Sequence, residues 1–172
     1  AKDLMHTLFP EKDVELKIES YQTGDKHLPY KILGDFLGSE LKGISYEQLL
    51  PYQQPDDGDA FKVITGDFVT TEDGTGIVHT APSFGADDYR VCKENGIGSL
   101  TLVDKHGKFI KGVGEFSDRF VKNAYDETLT DEDTTVDVDI SVKLKKENKA
   151  FKIEKYQHSY PHCWRTDKPV LY

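Results

Sequence analysis

The tightest constraint on this chain is the sixteen-residue run Gly74-Thr75-Gly76-Ile77-Val78-His79-Thr80-Ala81-Pro82-Ser83-Phe84-Gly85-Ala86-Asp87-Asp88-Tyr89. Gly74 and Gly76 free the backbone for positive φ or for close approach to a ligand. Ile77 to Ala81 reads as a short buried strand that Pro82 stops. Ser83 can cap a helix beginning near Gly85. Asp87 and Asp88 then fall in its first turn, where the helix dipole favours negative charge. The run calls for strand, turn and helix in that order, and it delivers His79 and Asp88 to one rim. Such a rim suits a small cationic group.

The rest of the chain bounds what that rim can serve. With 172 residues, 37% of them hydrophobic, it is long enough for one domain hiding about 70% of its unfolded surface. No run approaches the roughly 18 apolar residues of a membrane span, and the first residues lack a signal-peptide pattern. The expected compartment is the cytoplasm, with no membrane partner. Cys92 and Cys163 are too few for a disulfide framework and are expected to be reduced. The net charge of −9 argues against broad phosphate neutralisation by this chain. Seven of the fourteen residues from Asp126 to Asp139 are acidic and none is basic. The run lacks the glycine-centred spacing of a calcium loop and reads as a solvated loop.

Periodicity predicts many short elements. Residues 14–21 alternate as a half-buried strand, and residues 27–43, with three glycines and two Leu-Gly pairs, read as short strands joined by turns. Tyr46 to Leu50 reads as one helical turn, Phe61 to Val69 as a strand, and Ala86 to Asn95 as a helix with Gly96 at its C′ position. Leu100 to Val103 and Lys108 to Ile110 flank a hairpin turn at residues 104–107. Phe116 to Ala124 reads as a short helix and Phe151 to His158 as a strand. Val136, Val138, Ile140, Val142 and Leu144 alternate like a strand, but the Lys/Glu/Asn/Ala tail favours a helix over 136–149, capped by Asp137 or Asp139. The expected fold class is mixed α/β and β-rich, with no regular βαβ repeat and so no doubly wound nucleotide-binding sheet.

Chemistry-bearing groups fall in two clusters. His79, Asp87 and Asp88 are either a hydrogen-bonded strand-end histidine with two helix-start charges, or a carboxylate and imidazole set to receive a cationic ligand. Gly74-x-Gly76 precedes a strand rather than opening a helix, so it fails the context of a dinucleotide fingerprint. His158 and His162, beside Cys163, have zinc-compatible spacing. Pro161 breaks any helix that would align the two imidazoles, and no metal site is expected. Trp164 and Arg165 suit stacking on a base or sugar, or packing at a domain edge. No Gly-x-Ser-x-Gly elbow is present, and Cys92 reads as a small buried hydrophobe.

Taken together, Gly74-Thr-Gly-Ile-Val-His-Thr-Ala-Pro with Gly85-Ala-Asp-Asp-Tyr89 resembles the editing-site signature of class I aminoacyl-tRNA synthetases. The run Ser159-Tyr-Pro-His-Cys-Trp-Arg-Thr-Asp-Lys-Pro-Val-Leu-Tyr172 resembles the segment where the isoleucyl branch's editing insertion returns to its catalytic core. Gly66-Asp-Phe-Val-Thr-Thr-Glu-Asp73 and Val136-Asp-Val-Asp139 fit the same branch. The resemblance implies one editing domain over residues 1–172, with a β-barrel-like core and peripheral helices. It implies hydrolysis of the ester of valine mischarged onto isoleucine tRNA. The parent enzyme would ligate isoleucine to that tRNA with ATP and magnesium, while this domain needs no cofactor. Partners would be the tRNA acceptor end and the rest of the synthetase chain.

By the same resemblance Asp88 anchors the substrate's α-ammonium and His79 lines the pocket, the two forming the catalytic pair. Thr75, Gly76, Thr80, Ala81, Pro82, Gly85, Asp87 and Tyr89 are the implied substrate-binding residues. A positioned water attacks the ester, and no covalent nucleophile is required. Phe84 stands where many members carry a second histidine. The family's threonine-rich stretch, which forms the pocket's other wall, is not among the 172 residues. Two alternatives stay open: a module that is inert as isolated, and the editing domain of the related valyl enzyme.

Overall fold

The computed structural model describes residues 2–10, 16–72, 74–130, 132–155, 157 and 159–171. Three α-helices are present among them: a single turn α1 (Met5–Leu8), α2 (Ala86–Glu94) and α3 (Val136–Lys146). Single 3₁₀ turns at Lys2–Leu4, Ile18–Ser20, Gly38–Leu41, Gly114–Phe116 and Asn123–Tyr125 separate long irregular stretches. No described helix is long and apolar enough to cross a membrane.

The β-rich expectation is corrected here. Among the described residues no strand forms, and pairing is confined to isolated bridges such as Ser45 with Lys62, Val103 with Phe109 and Lys108 with Phe120. A ladder needs successive residues in extended conformation opposite a partner. Phe61 (φ 52°) and Asp118 (φ 63°) instead turn the backbone beside Lys62 and Phe120. No β-barrel-like core results. Tyr46 to Leu50 and Phe116 to Ala124 do not form the expected helices, and 27–43 is irregular apart from its 3₁₀ turn. Within 14–21 the described part holds only the turn at Ile18–Ser20, and Val14 and Glu15 lie outside the described residues. In 151–158 the described residues are not strand, and Tyr156 and His158 lie outside them.

The two longer helices form as the sequence predicts. In α3, Val136, Ile140 and Leu144 recur every four residues and turn inward, while Val138 and Val142 stay exposed. The two-residue alternation thus resolves into one helical face. Its cap is the Thr135 hydroxyl, which accepts the Val138 N–H at 3.3 Å, rather than Asp137 or Asp139. Both helices end in the same six-residue closure. The Gly96 and Ile97 N–H groups return to Lys93 O and Cys92 O in α2, and those of Asn148 and Lys149 return to Lys145 O and Leu144 O in α3. Gly96 and Asn148 supply the left-handed residue this closure requires.

Val113, Phe116 and Val136 form the main core, against which Tyr52, Leu102, Phe109, Ile110 and Ile140 pack. Burying Phe116 contributes roughly 1.5–3 kcal/mol. Of the predicted hairpin only the turn and the Val103–Phe109 bridge form, without the flanking strands: Asp104 N–H bonds Lys108 O, Ile110 N–H bonds Leu102 O, and the Asp104 carboxylate accepts the His106 and Lys108 N–H groups. Gly98 fixes a second junction, because a β-carbon there would meet Asp57 O at 1.8 Å. This close approach lets Asp59 exchange two backbone hydrogen bonds with Gly96 and Gly98 just past α2.

The accessible surface is 13522 Å², whereas a compact monomer of this mass exposes about 8,500 Å². Folding therefore hides only about half of the roughly 28,000 Å² an unfolded chain of this mass presents, short of the expected share. Leu33, for example, is 89% exposed.

Candidate functional site

Gly74 (φ 60°) and Gly76 (φ 79°) occupy left-handed conformations that open the signature run. Between them the Thr75 hydroxyl meets Ile77 O at 2.9 Å and Ile77 N–H at 3.2 Å. The turn therefore holds itself. Ile77 to Ala81 is not the expected buried strand, for Ile77 is 67% and Val78 55% exposed. Among the described residues no bridge pairs it with another segment.

With no strand for Pro82 to stop, it opens a turn in which Phe84 N–H closes onto Ala81 O. Ser83 does not cap α2. Its hydroxyl lies 2.8 Å from the Ser99 hydroxyl and donates to Leu100 O at 3.1 Å, while Thr101 donates to it at 3.0 Å. This hydroxyl cluster fastens the signature run to residues 99–101. Gly85 is the N-cap of α2 and offers no side-chain bond.

The two aspartates have separate tasks. Asp88 Oδ2 accepts the Ala81 N–H at 3.2 Å, tying Ala81 to the first turn of α2. A β-carbon on Gly85 would sit 3.3 Å from that carboxylate, so the missing side chain leaves room for Asp88 to fold back. Asp87 faces Arg90 at 3.7 Å, and Arg90 also pairs with Asp67 at 2.9 Å and Glu94 at 3.6 Å. The Arg90 guanidinium holds the Asp67 carboxyl below its ordinary value. Sequence reading missed Arg90; Asp87 and Glu94, three residues before it and four after, were the available signal, whereas Asp67 was out of reach.

His79 is exposed, and among the described residues its imidazole makes no hydrogen bond or ion pair. None joins it to Asp88. Thr80, Ala81 and Pro82 are half-buried, and the exposed Tyr89 ring carries the Lys93 ammonium 5.6 Å from its centroid. Cys92 is buried, as expected; burial, then the Asp88 charge, pushes its thiol up. Both cysteines are free.

In the second cluster His158 lies outside the described residues. His162 Nδ1 contacts Tyr160 O at 2.9 Å, and no described cluster of three or more His, Cys, Asp or Glu is arranged to hold a metal. A turn joined by Cys163 N–H to Lys168 O and Asp167 N–H to Cys163 O leaves Trp164 85% exposed beneath Arg165. Hydrogen bonding from the Thr166 side chain, then from the Arg165 and Thr166 backbone, draws the Cys163 thiol down.

A cleft of about 540 Å³ lies between Thr75, Leu8, Leu49, Leu144 and the 149–154 segment. Thr75 is the signature residue that reaches it. The arrangement holds a carboxylate at a helix start with one oxygen engaged by a backbone amide, and His79 is exposed in the same run.

No family model matches the chain. It is 53% identical over its whole length to an isoleucine–tRNA ligase of Cytophaga hutchinsonii and 50% identical to one of Bacteroides fragilis. An isoleucine–tRNA ligase of Thermoplasma acidophilum is 39% identical over 99% of the chain. The chain spans 17% of the length of the first two relatives and 15% of the third. These matches define the class as that of the aminoacyl-tRNA synthetases. Within it, the chain belongs to the isoleucine–tRNA ligase family, of which it spans a part.

Proposed function

We propose that residues 1–172 form the editing domain of an isoleucine–tRNA ligase and hydrolyse the ester of valine mischarged onto isoleucine tRNA. The reading rests on one observation above the others: Asp88 is held at the start of α2 with one carboxylate oxygen on Ala81 N–H. Its other oxygen is left to accept a substrate ammonium. The need for such a domain is physical. One methylene in an apolar pocket discriminates by only about 1–3 kcal/mol, and isoleucine against valine is the established illustration of that limit.

In the proposed reaction the α-ammonium pairs with Asp88, which fixes the ester carbonyl for attack. His79 hydrogen-bonds near the amino-acid side chain and restricts its size. A positioned water attacks, assisted by the free ribose hydroxyl, and releases valine and intact tRNA. Thr75, Gly76, Thr80 to Pro82, Gly85, Asp87 and Tyr89 surround the path. In the parent, ligation of isoleucine with ATP and magnesium belongs to other parts of the chain. The Ser159–Tyr172 run leads back toward them, and the compartment is the cytoplasm.

A second reading is favoured by the large open surface: the 172 residues bind but do not hydrolyse unless the rest of the enzyme closes the pocket. Asp88→Ala in the full-length ligase distinguishes the readings from error. Valyl-tRNA should accumulate, and an unchanged deacylation rate would overturn the assignment. Deacylation by the 172-residue chain alone would exclude the inert module.

A further inference from the structure

The chain is acidic overall, yet residues 143–155 carry six lysines against two glutamates. Three of those lysines are committed. Lys143 bridges Glu115 and Glu147; Lys149 meets Glu147 and Leu49 O; Lys152 meets Glu154 and Thr7 O. Lys145, Lys146 and Lys155 are exposed and make no ion pair among the described residues. Between them in sequence, Phe151 is 58% exposed and its ring lies tilted against Phe9 at a centroid distance of 5.4 Å. This strip borders the 540 Å³ cleft, whose wall includes Leu144, Lys149, Phe151, Lys152 and Thr75. Ammonium groups interleaved with an open aromatic face are the chemistry that tracks a single-stranded nucleic acid. Thr75 of the signature run lines the same cleft as this strip.

We propose that residues 143–155 form an RNA-contacting strip: Lys145, Lys146 and Lys155 neutralise phosphates of the single-stranded tRNA end, and Phe151 stacks on one of its bases. The proposal rests on the tRNA-ester reading above. It assigns the backbone contacts to this strip, apart from the Asp88 rim that holds the amino acid.

The test uses the full-length ligase with two substrates, valyl-tRNA and the phosphate-free valyl ester of adenosine, across a salt series. K145E/K146E/K155E should raise KM for valyl-tRNA about tenfold or more at unchanged kcat. It should also flatten the log–log salt dependence by about 2, the value for three single-strand phosphate contacts. Hydrolysis of the nucleoside ester should be unchanged, and K145R/K146R/K155R should keep the wild-type slope. Phe151→Ala should weaken tRNA binding about fivefold or more without altering the salt slope. An unchanged KM and slope in the charge-reversed enzyme overturns the proposal, as it would if the strip docked on protein instead. Equal loss with both substrates also overturns it, since the lysines would then act through the fold. Asp88→Ala, measured alongside, reports separately on the ester reading: it should impair both substrates.

Discussion

Residues 102–147 and residues 74–89 are both built from turns and one short helix, yet they treat apolar side chains in opposite ways. The first region gathers Val113 and Phe116 against Val136 of α3. The second displays Ile77, Val78 and Tyr89, and its bonds are polar: Thr75 to Ile77 and Ala81 to Asp88 within it, and the Ser83 hydroxyl cluster to residues 99–101 outside it. One region is held by burial, the other by a few directional contacts on a supporting frame. Loops that carry chemistry on a rigid scaffold are commonly arranged this way.

The comparison breaks most readily at Phe116. Phe116→Ala should cost about 3–5 kcal/mol by leaving a cavity beneath α3, read as a shift in urea midpoint. If the cost is below about 1 kcal/mol, the packed region is not packed. In contrast, Asp88→Ala should change the same midpoint little. It should nevertheless slow valyl-tRNA hydrolysis by the full-length enzyme about a hundredfold, the scale of misplacing a reacting group.

Two substitutions sharpen where the frame ends. Gly98→Ala forces a β-carbon onto Asp57 O and should destabilise by about 1–3 kcal/mol, visible as faster amide exchange at Asp59 and Ile97. Thr135→Ala removes the cap of α3 and should cost about 1 kcal/mol, measured by helical circular dichroism on thermal unfolding.

The smallest effect is one of pH. Tyr52 hydroxyl hydrogen bonding, then backbone and Lys143 contacts, lowers the Glu115 carboxyl to about 2. A group lowered on folding stabilises above its unfolded value of 4.5, and that contribution is lost as pH falls from there toward 2. Glu115→Gln should therefore flatten the acid limb of a urea-midpoint profile in that window. An unaltered limb would show that the surface network contributes nothing.

What could be read from the residues alone follows a physical line. α2, the Gly96 closure, the turn at residues 104–107 and α3 depend on contacts within a few positions, and each was legible. The strands depend on partners elsewhere in the chain, and neither the alternation at 14–21 nor the composition of 61–69 carries information about whether a partner is present. The cap of α3 was misassigned because Asp137 and Asp139 suit a first turn as well as a cap, and Thr135 took the cap. At the site, the residue types and the Asp88 position were readable. Its bond to Ala81, the Arg90 link to Asp67 and the bonding of Ser83 arise from the turn's geometry, which spacing does not encode.

The Asp88–Ala81 bond has one more consequence. A carboxylate polarises the amide it accepts from, so the Ala81 N–H resonance senses the charge on Asp88 and whatever else that carboxylate touches. A single labelled alanine signal thus reports occupancy of the rim directly, with no turnover required: an ammonium ligand should move it, and a neutral isostere should not.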